Sequence, residues 1–142
     1  MLDWAEWSSL LSKKRVLELG SGLGQFGLTA LQTLDMQELT LSDFHHSVLN
    51  YINHNVRLNI PSIEDNKPSK SEMEECLSSG CLKPFDEESV KFAIKEYKHL
   101  ECSTRLRLQH IDWREYRAEL LPSVDVIVGS DIVFAKVGSL DV

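Results

Sequence analysis

Glu18 to Gly24 reads E-L-G-S-G-L-G, and Asp43 ends an alternating segment further on. Glycines at 20, 22 and 24 strip side chains from a turn, so a ligand can come close to backbone amides. Missing residues narrow the choice of ligand. The dinucleotide fingerprint G-x-G-x-x-G needs a glycine where Gln25 stands. The phosphate cradle G-x-x-x-x-G-K-[ST] needs a lysine that this loop lacks. The pattern suits a ligand without a polyphosphate. It also suits a plain strand-to-helix turn that requires only positive φ. Asp43 lies about twenty residues beyond the loop, where α/β nucleotide folds hold ribose hydroxyls with a carboxylate. It reads as readily as the cap of a following helix, with His45 and His46 exposed in the first turn.

A second constellation is Cys76, Cys81, His99 and Cys102, spaced C-x4-C…H-x2-C. Thiolates and an imidazole are zinc ligands. The first spacing sits at the edge of the usual range, and the segment between is polar. Three cysteines without a secretory signal are expected to stay reduced and free, with no metal.

These residues need elements to hold them. Trp4, Trp7 and Leu11 at i, i+3, i+7 predict a helix over 4–11. "KKRVLEL" reads as a basic edge followed by a short buried strand. Phe26, Ala30 and Leu34, spaced by four, predict a helix from Gln25. "ELTLSDF" alternates like a strand ending in Asp43. "HHSVLNYINHNVRLN" predicts a helix with Val48, Ile52 and Val56 on one stripe. From Pro61 the composition turns to Ser, Pro, Lys and Glu, which predicts a polar, mobile insertion at about 61–104. Inside it, "DEESVKFAIKEYKHL" reads as an acidic-capped helix with Val90, Ile94 and Tyr97 or Lys98 on one side. "TRLRLQHIDW" alternates like a strand. "SVDVIVGSDIVF" reads as a central parallel strand buried on both faces.

The order β-α-β-α-(insertion)-β-(short helix)-β predicts one α/β domain with a Rossmann-like parallel sheet. The sheet is expected to be incomplete after its fourth strand, because the sequence ends at "AKVGSLDV" soon after it. That reads as a partial gene product or a shortened isoform whose fourth strand is an apolar edge.

A length of 142 residues suffices for one domain with a core. The net charge of −7 argues against direct nucleic-acid binding and favours a basic partner. No apolar run approaches the roughly 20 residues of a membrane span. Asp3 and Glu6 precede the first apolar stretch, unlike a secretory signal, so a cytoplasmic protein with no membrane contact is expected.

"VLELGSGLGQFGLTAL" resembles motif I of the seven-β-strand S-adenosylmethionine-dependent methyltransferases of the class I type. "LSDFHHSVLNYINHNVRLN" resembles the next strand and helix of their protein-lysine branch. The pattern SD-x-H-x-x-VL…NV-x-LN is most similar to the lysine methyltransferases of elongation factor 2. "QHIDW" and "VDVIVGSDIVF" resemble that branch's D-W and (A/S)-D-x-x-(Y/F) motifs. The resemblance covers residues 15–60 and about 105–134.

It implies that S-adenosylmethionine is the cofactor and a protein, elongation factor 2, the substrate. Gly20, Ser21 and Gly22 are then expected against the methionine end, with Glu18 supporting the loop. The resemblance further places Asp43 on the ribose, Asp112 and Trp113 around the adenine, and Ser130 beside the methionine portion. Asp131 would face the methyl acceptor and orient it. A sulfonium cofactor carries no phosphate, which agrees with a glycine loop that has no lysine. Another lysine target, a histidine target, or a non-catalytic fragment that binds cofactor weakly or only a protein partner remain the other readings.

Overall fold

The first helix begins where Asp3 can cap it. In the computed structural model, which describes residues 3–60, 63–66, 94–99, 103–112, 123–130 and 132, α1 spans Trp4–Leu11. The Asp3 carboxylate accepts from the Glu6 amide at 2.9 Å, and the Glu6 carboxylate accepts from the Asp3 amide at 2.7 Å. This reciprocal box satisfies two otherwise orphaned donors. Of the expected apolar stripe, Leu11 is buried and Trp7 half-buried, whereas Trp4 faces solvent.

The remaining elements are β1 (Arg15–Leu19), α2 (Gln25–Thr33), β2 (Glu38–Asp43), α3 (His46–Asn59), β3 (Ile63–Asn66), β4 (Ile94–His99), β5 (Arg105–His110) and β6 (Val126–Gly129). The sheet order is β3-β4-β5-β2-β1-β6. The run β5-β2-β1-β6 is parallel, giving the α/β, Rossmann-like, four-stranded parallel sheet that the sequence predicts.

Side-chain alternation selects the core. In register, Val16 pairs with Leu39 and Val126, Leu39 with Leu106, and Leu41 with Leu108. These strand residues pack in one cluster with Leu11 of α1, Leu28 and Leu31 of α2, and Ile52 and Val56 of α3. Each fully buried aliphatic side chain contributes about 1.5–3 kcal/mol relative to exposure. Glu18 sits in this same row, paired with Leu41 on one side and Val128 on the other. A carboxylate in a row of aliphatics is the sheet's main departure from pattern.

Three expectations change. The helix predicted over "DEESVKFAIKEYKHL" is, from Ile94 to His99, the strand β4, antiparallel to β5. Over six residues the spacing fits either period, and the open edge of β5 supplies backbone partners that a helix would leave unused. β3 pairs antiparallel with β4, so strand structure lies within the expected insertion. Apart from Ser103 and Thr104, the rest of that insertion, like the expected short helix before β6, lies outside the described residues. Finally, β6 is not buried on both faces. Ile127 is 52% exposed, and among the described residues β6 pairs with β1 alone. A strand with one neighbour keeps part of its surface open.

Arg15 ties β1 to the chain entering β6. Its Nη2 donates to Asp125 Oδ1 at 2.8 Å, its amide to Asp125 Oδ2 at 2.8 Å, and its Nη1 to Ser123 Oγ at 2.7 Å. The Arg15 carbonyl accepts in turn from the Asp125 amide at 2.8 Å. The guanidinium holds the Asp125 carboxyl well below the usual carboxylate range.

Candidate cofactor site

β1 must turn sharply after Leu19 to deliver α2 back onto the sheet. The turn uses left-handed backbone at Gly20, Gly22 and Gly24, with φ of 61°, 56° and 77°. At Gly22 a Cβ would meet none of the described atoms within 4 Å, so the loop is open on that side. Gly27, one turn into α2, has the opposite reason to be glycine. A Cβ there would stand 2.2 Å from Leu41 Cδ2 and 2.7 Å from Glu18 Oε2.

Side chains from β2 and α3 hold the turn. The Ser21 amide donates to the Ser42 carbonyl at 2.8 Å, and the Ser42 amide donates to Ser21 Oγ at 3.0 Å. Both hydroxyls donate to the Glu18 carbonyl, Ser42 at 2.7 Å and Ser21 at 3.2 Å. The Gly22 amide donates to Asp43 Oδ2 at 3.3 Å, and the His45 amide to Asp43 Oδ1 at 3.0 Å. Asp43 therefore caps the entry to α3 and touches the glycine loop with its other oxygen. Asn55 Nδ2 donates to the Leu23 carbonyl at 2.9 Å.

Beside the loop is a cavity of about 300 Å³ lined by Trp7, Glu18, Phe26, Ile127, Val128, Gly129 and Ser130. It lies between the C-terminal halves of β1 and β6, where the strand order reverses. Open parallel sheets bind ligands at that switch point. Trp7 stands edge-on to Phe26, with centroids 5.4 Å apart, and the two rings form an apolar wall. Glu18 is 3% exposed, and its Oε2 has no hydrogen-bond partner among the described residues. Burial pushes its carboxyl up to about 7, with the Ser21 hydroxyl and the Gly27 amide pulling the other way.

The structure brings most of the sequence-predicted residues to one end of the sheet. Glu18 and Ser130 line the cavity, Ser130 as an exposed residue directly after β6. Gly20, Ser21 and Gly22 form the turn, joined to Asp43 through the Gly22 amide. Ser21 spends its amide and hydroxyl within the protein, so it shapes the turn. Asp112 is half-buried just beyond β5, after Ile111, whose amide donates to the Asp43 carbonyl at 3.1 Å. Trp113 and Asp131 lie outside the described residues, as do Cys76, Cys81, Cys102 and the side chain of His99. Among the described residues no group of three or more His, Cys, Asp or Glu could hold a metal ion, and no helix is long and apolar enough to cross a membrane.

Sequence reasoning missed two residues that hold the turn, Ser42 and Asn55, and a histidine stack beyond β2. Ser42 and Asn55 stand in the SD and NV-x-LN patterns but carry no assigned role there. His46 stacks on His110, with centroids 4.2 Å apart and planes 7° from parallel, and His110 Nε2 lies 2.8 Å from the Phe44 carbonyl. Partial desolvation and, secondarily, the neighbouring His110 lower the His46 pKa. The adjacent pair His45-His46 was the available signal, but no spacing rule links it to a residue in β5.

A glycine turn, an acid at the end of β2 and a cavity at the switch point make up the candidate site. Residues 5–73 match the lysine methyltransferase family. The chain is also 27% identical, over 124 residues, to a calmodulin-lysine N-methyltransferase of Arabidopsis thaliana. That alignment takes in 87% of this chain and 28% of the relative, so the chain spans just over a quarter of that methyltransferase's length. Both similarities support a protein-lysine methyltransferase family. The lysine methyltransferase match covers β1, the glycine turn, Asp43, α3 and nearly all of α1, and does not reach β6, which forms the other wall of the cavity.

Proposed function

We propose that this chain is the cofactor-binding part of an S-adenosylmethionine-dependent protein-lysine N-methyltransferase whose acceptor is elongation factor 2. The observation that carries the cofactor reading is the donor set of the cavity. The cavity offers a buried carboxylate oxygen without a partner among the described residues and two aromatic walls, none of its described lining residues is a lysine or arginine, and the turn that follows β1 is open at Gly22. Those features suit a ligand that carries an ammonium and a sulfonium and has no phosphate.

When bound, S-adenosylmethionine supplies an electrophilic methyl group. The chain's own residues position and desolvate. Gly20 and Gly22 give the methionine end access to the backbone, and Glu18 offers an acceptor to a cation. Asp43 has a lone pair left on each oxygen for ribose hydroxyls. Asp112 and Trp113 are assigned to the adenine, Ser130 to the methionine side, and Asp131 to orienting the acceptor amine. Holding two reactants in line accounts for much of the barrier lowering in such a transfer. A lysine must be neutral to attack, and partial desolvation in the assembled complex lowers its pKa.

The similarity to a calmodulin-lysine N-methyltransferase makes calmodulin the second acceptor to test. The test is transfer of isotope-labelled methyl from S-adenosylmethionine to purified elongation factor 2 and to calmodulin, with calorimetry of cofactor binding alongside. Label on a lysine of elongation factor 2 is the expected result. Label on calmodulin alone, or on histidine, reassigns the acceptor. No label and no binding would leave a non-catalytic fragment.

A further inference from the structure

The glycine turn is tied down by two residues that do not line the cavity. β1 and β2 pair in register only as far as Glu18 and Leu41. Ser42 is the next residue, and all three of its polar groups reach back across the gap. Its carbonyl accepts from the Ser21 amide at 2.8 Å, its amide donates to Ser21 Oγ at 3.0 Å, and its hydroxyl donates to the Glu18 carbonyl at 2.7 Å. It is 1% exposed, so water does not replace these bonds. Asn55, half-buried on α3, holds the other end of the turn through the Leu23 carbonyl at 2.9 Å.

Between these two anchors lies Gly22, whose left-handed backbone leaves the open space described above. A glycine-rich turn has more conformations to lose than any other. Anchors that remove those conformations before a ligand arrives reduce the ordering cost of binding. We infer that Ser42 and Asn55 are positioning residues that hold the Ser21–Gly24 turn in its ligand-ready form. Neither needs to touch the ligand. The affinity arm of the test below rests on the cofactor reading; the exchange arm does not.

Amide hydrogen exchange of the whole 142-residue chain, followed by NMR, tests this in Asn55→Asp and Ser42→Ala. Asn55→Asp keeps the shape and removes the donor at a site open enough to fold normally. Exchange at Ser21, Gly22 and Gly24 is expected to rise at least tenfold in both variants. The Leu34 and Ile60 amides, bonded to Ala30 and Val56 in α2 and α3, are expected to keep their rates. Calorimetric affinity for S-adenosylhomocysteine is expected to fall about threefold to tenfold, the scale of one neutral hydrogen bond. A uniform rise across α2 and α3, unchanged exchange in the turn, or unchanged affinity would each overturn the inference. If the turn loosens selectively but even the unaltered chain binds no S-adenosylhomocysteine, the positioning role stands and the cofactor reading falls.

Discussion

Glu18 is a carboxylate on the core face of a sheet, between Leu41 and Val128, and its chemistry follows from that neighbourhood. Its folded pKa of about 7 exceeds the ordinary carboxylate value of 4.5. The folded state therefore binds a proton more tightly than the unfolded chain does. This contribution to stability is complete below about pH 4.5 and is lost as pH rises through about 7, up to about 3 kcal/mol in all. Glu18→Gln has no charge to desolvate. Urea unfolding should find it more stable than the parent at pH 8, with the gap closing by pH 5. A constant gap would mean that Glu18 does not titrate in this window. At the end of β2, each Asp43 oxygen accepts a backbone amide. Asp43→Ala removes the proposed ribose acceptor and also releases the Gly22 amide. Cofactor affinity should drop at least tenfold by calorimetry, since charged hydrogen bonds contribute about 1.5–3 kcal/mol. An unchanged affinity would return Asp43 to capping alone.

Elements succeed here through close approach. α2 can lie on β2 because Gly27 has no side chain, and Leu41 Cδ2 occupies the place a methyl would take. Gly27→Ala must push Leu41 and Glu18 aside, which costs about 1–3 kcal/mol and should appear as a lower urea midpoint. An unchanged midpoint would show that the side chains yield without penalty. The same packing explains what could be read in the sequence. α1, α2, α3 and the four parallel strands announce themselves because their apolar residues recur at helical spacing or cluster in short β-branched runs. β4 does not, because "IKEYKH" becomes a strand only through the open edge of β5, a partner no local window contains. In the site, Gly20, Gly22, Glu18 and Asp43 were legible because motif and spacing are local. Ser42 and Asn55 were not, since their role depends on which carbonyl the folded turn presents to them. Trp7 was legible as an apolar helix residue, but its place against Phe26 was not.

The molecule as a whole puts Glu18, the glycine turn, Asp43, Asp112 and Ser130 at the C-terminal ends of the parallel strands. The opposite end of β1 is fastened to the chain entering β6 by the Arg15–Asp125 pair, whose carbonyl–amide bond reinforces it. Arg15→Met keeps the stem and removes the fork. Exchange of the β6 amides should then accelerate while β2 and β5 amides hold their rates. Equal acceleration throughout would assign the pair a global role. This pair joins residues 110 apart in sequence, and the cavity shares that separation, with Glu18 on one side and Val128 on the other. A pocket whose walls are so distant along the chain has no local precursor. Closing a loop of that length must precede any reward from the contact, which makes such parallel pairings late and slow. On the ribosome, the helices and the first two strands emerge long before β6. The cavity is therefore complete only once β6 has been made, and a ligand that recognised it would distinguish chains that carry β6 from those that do not.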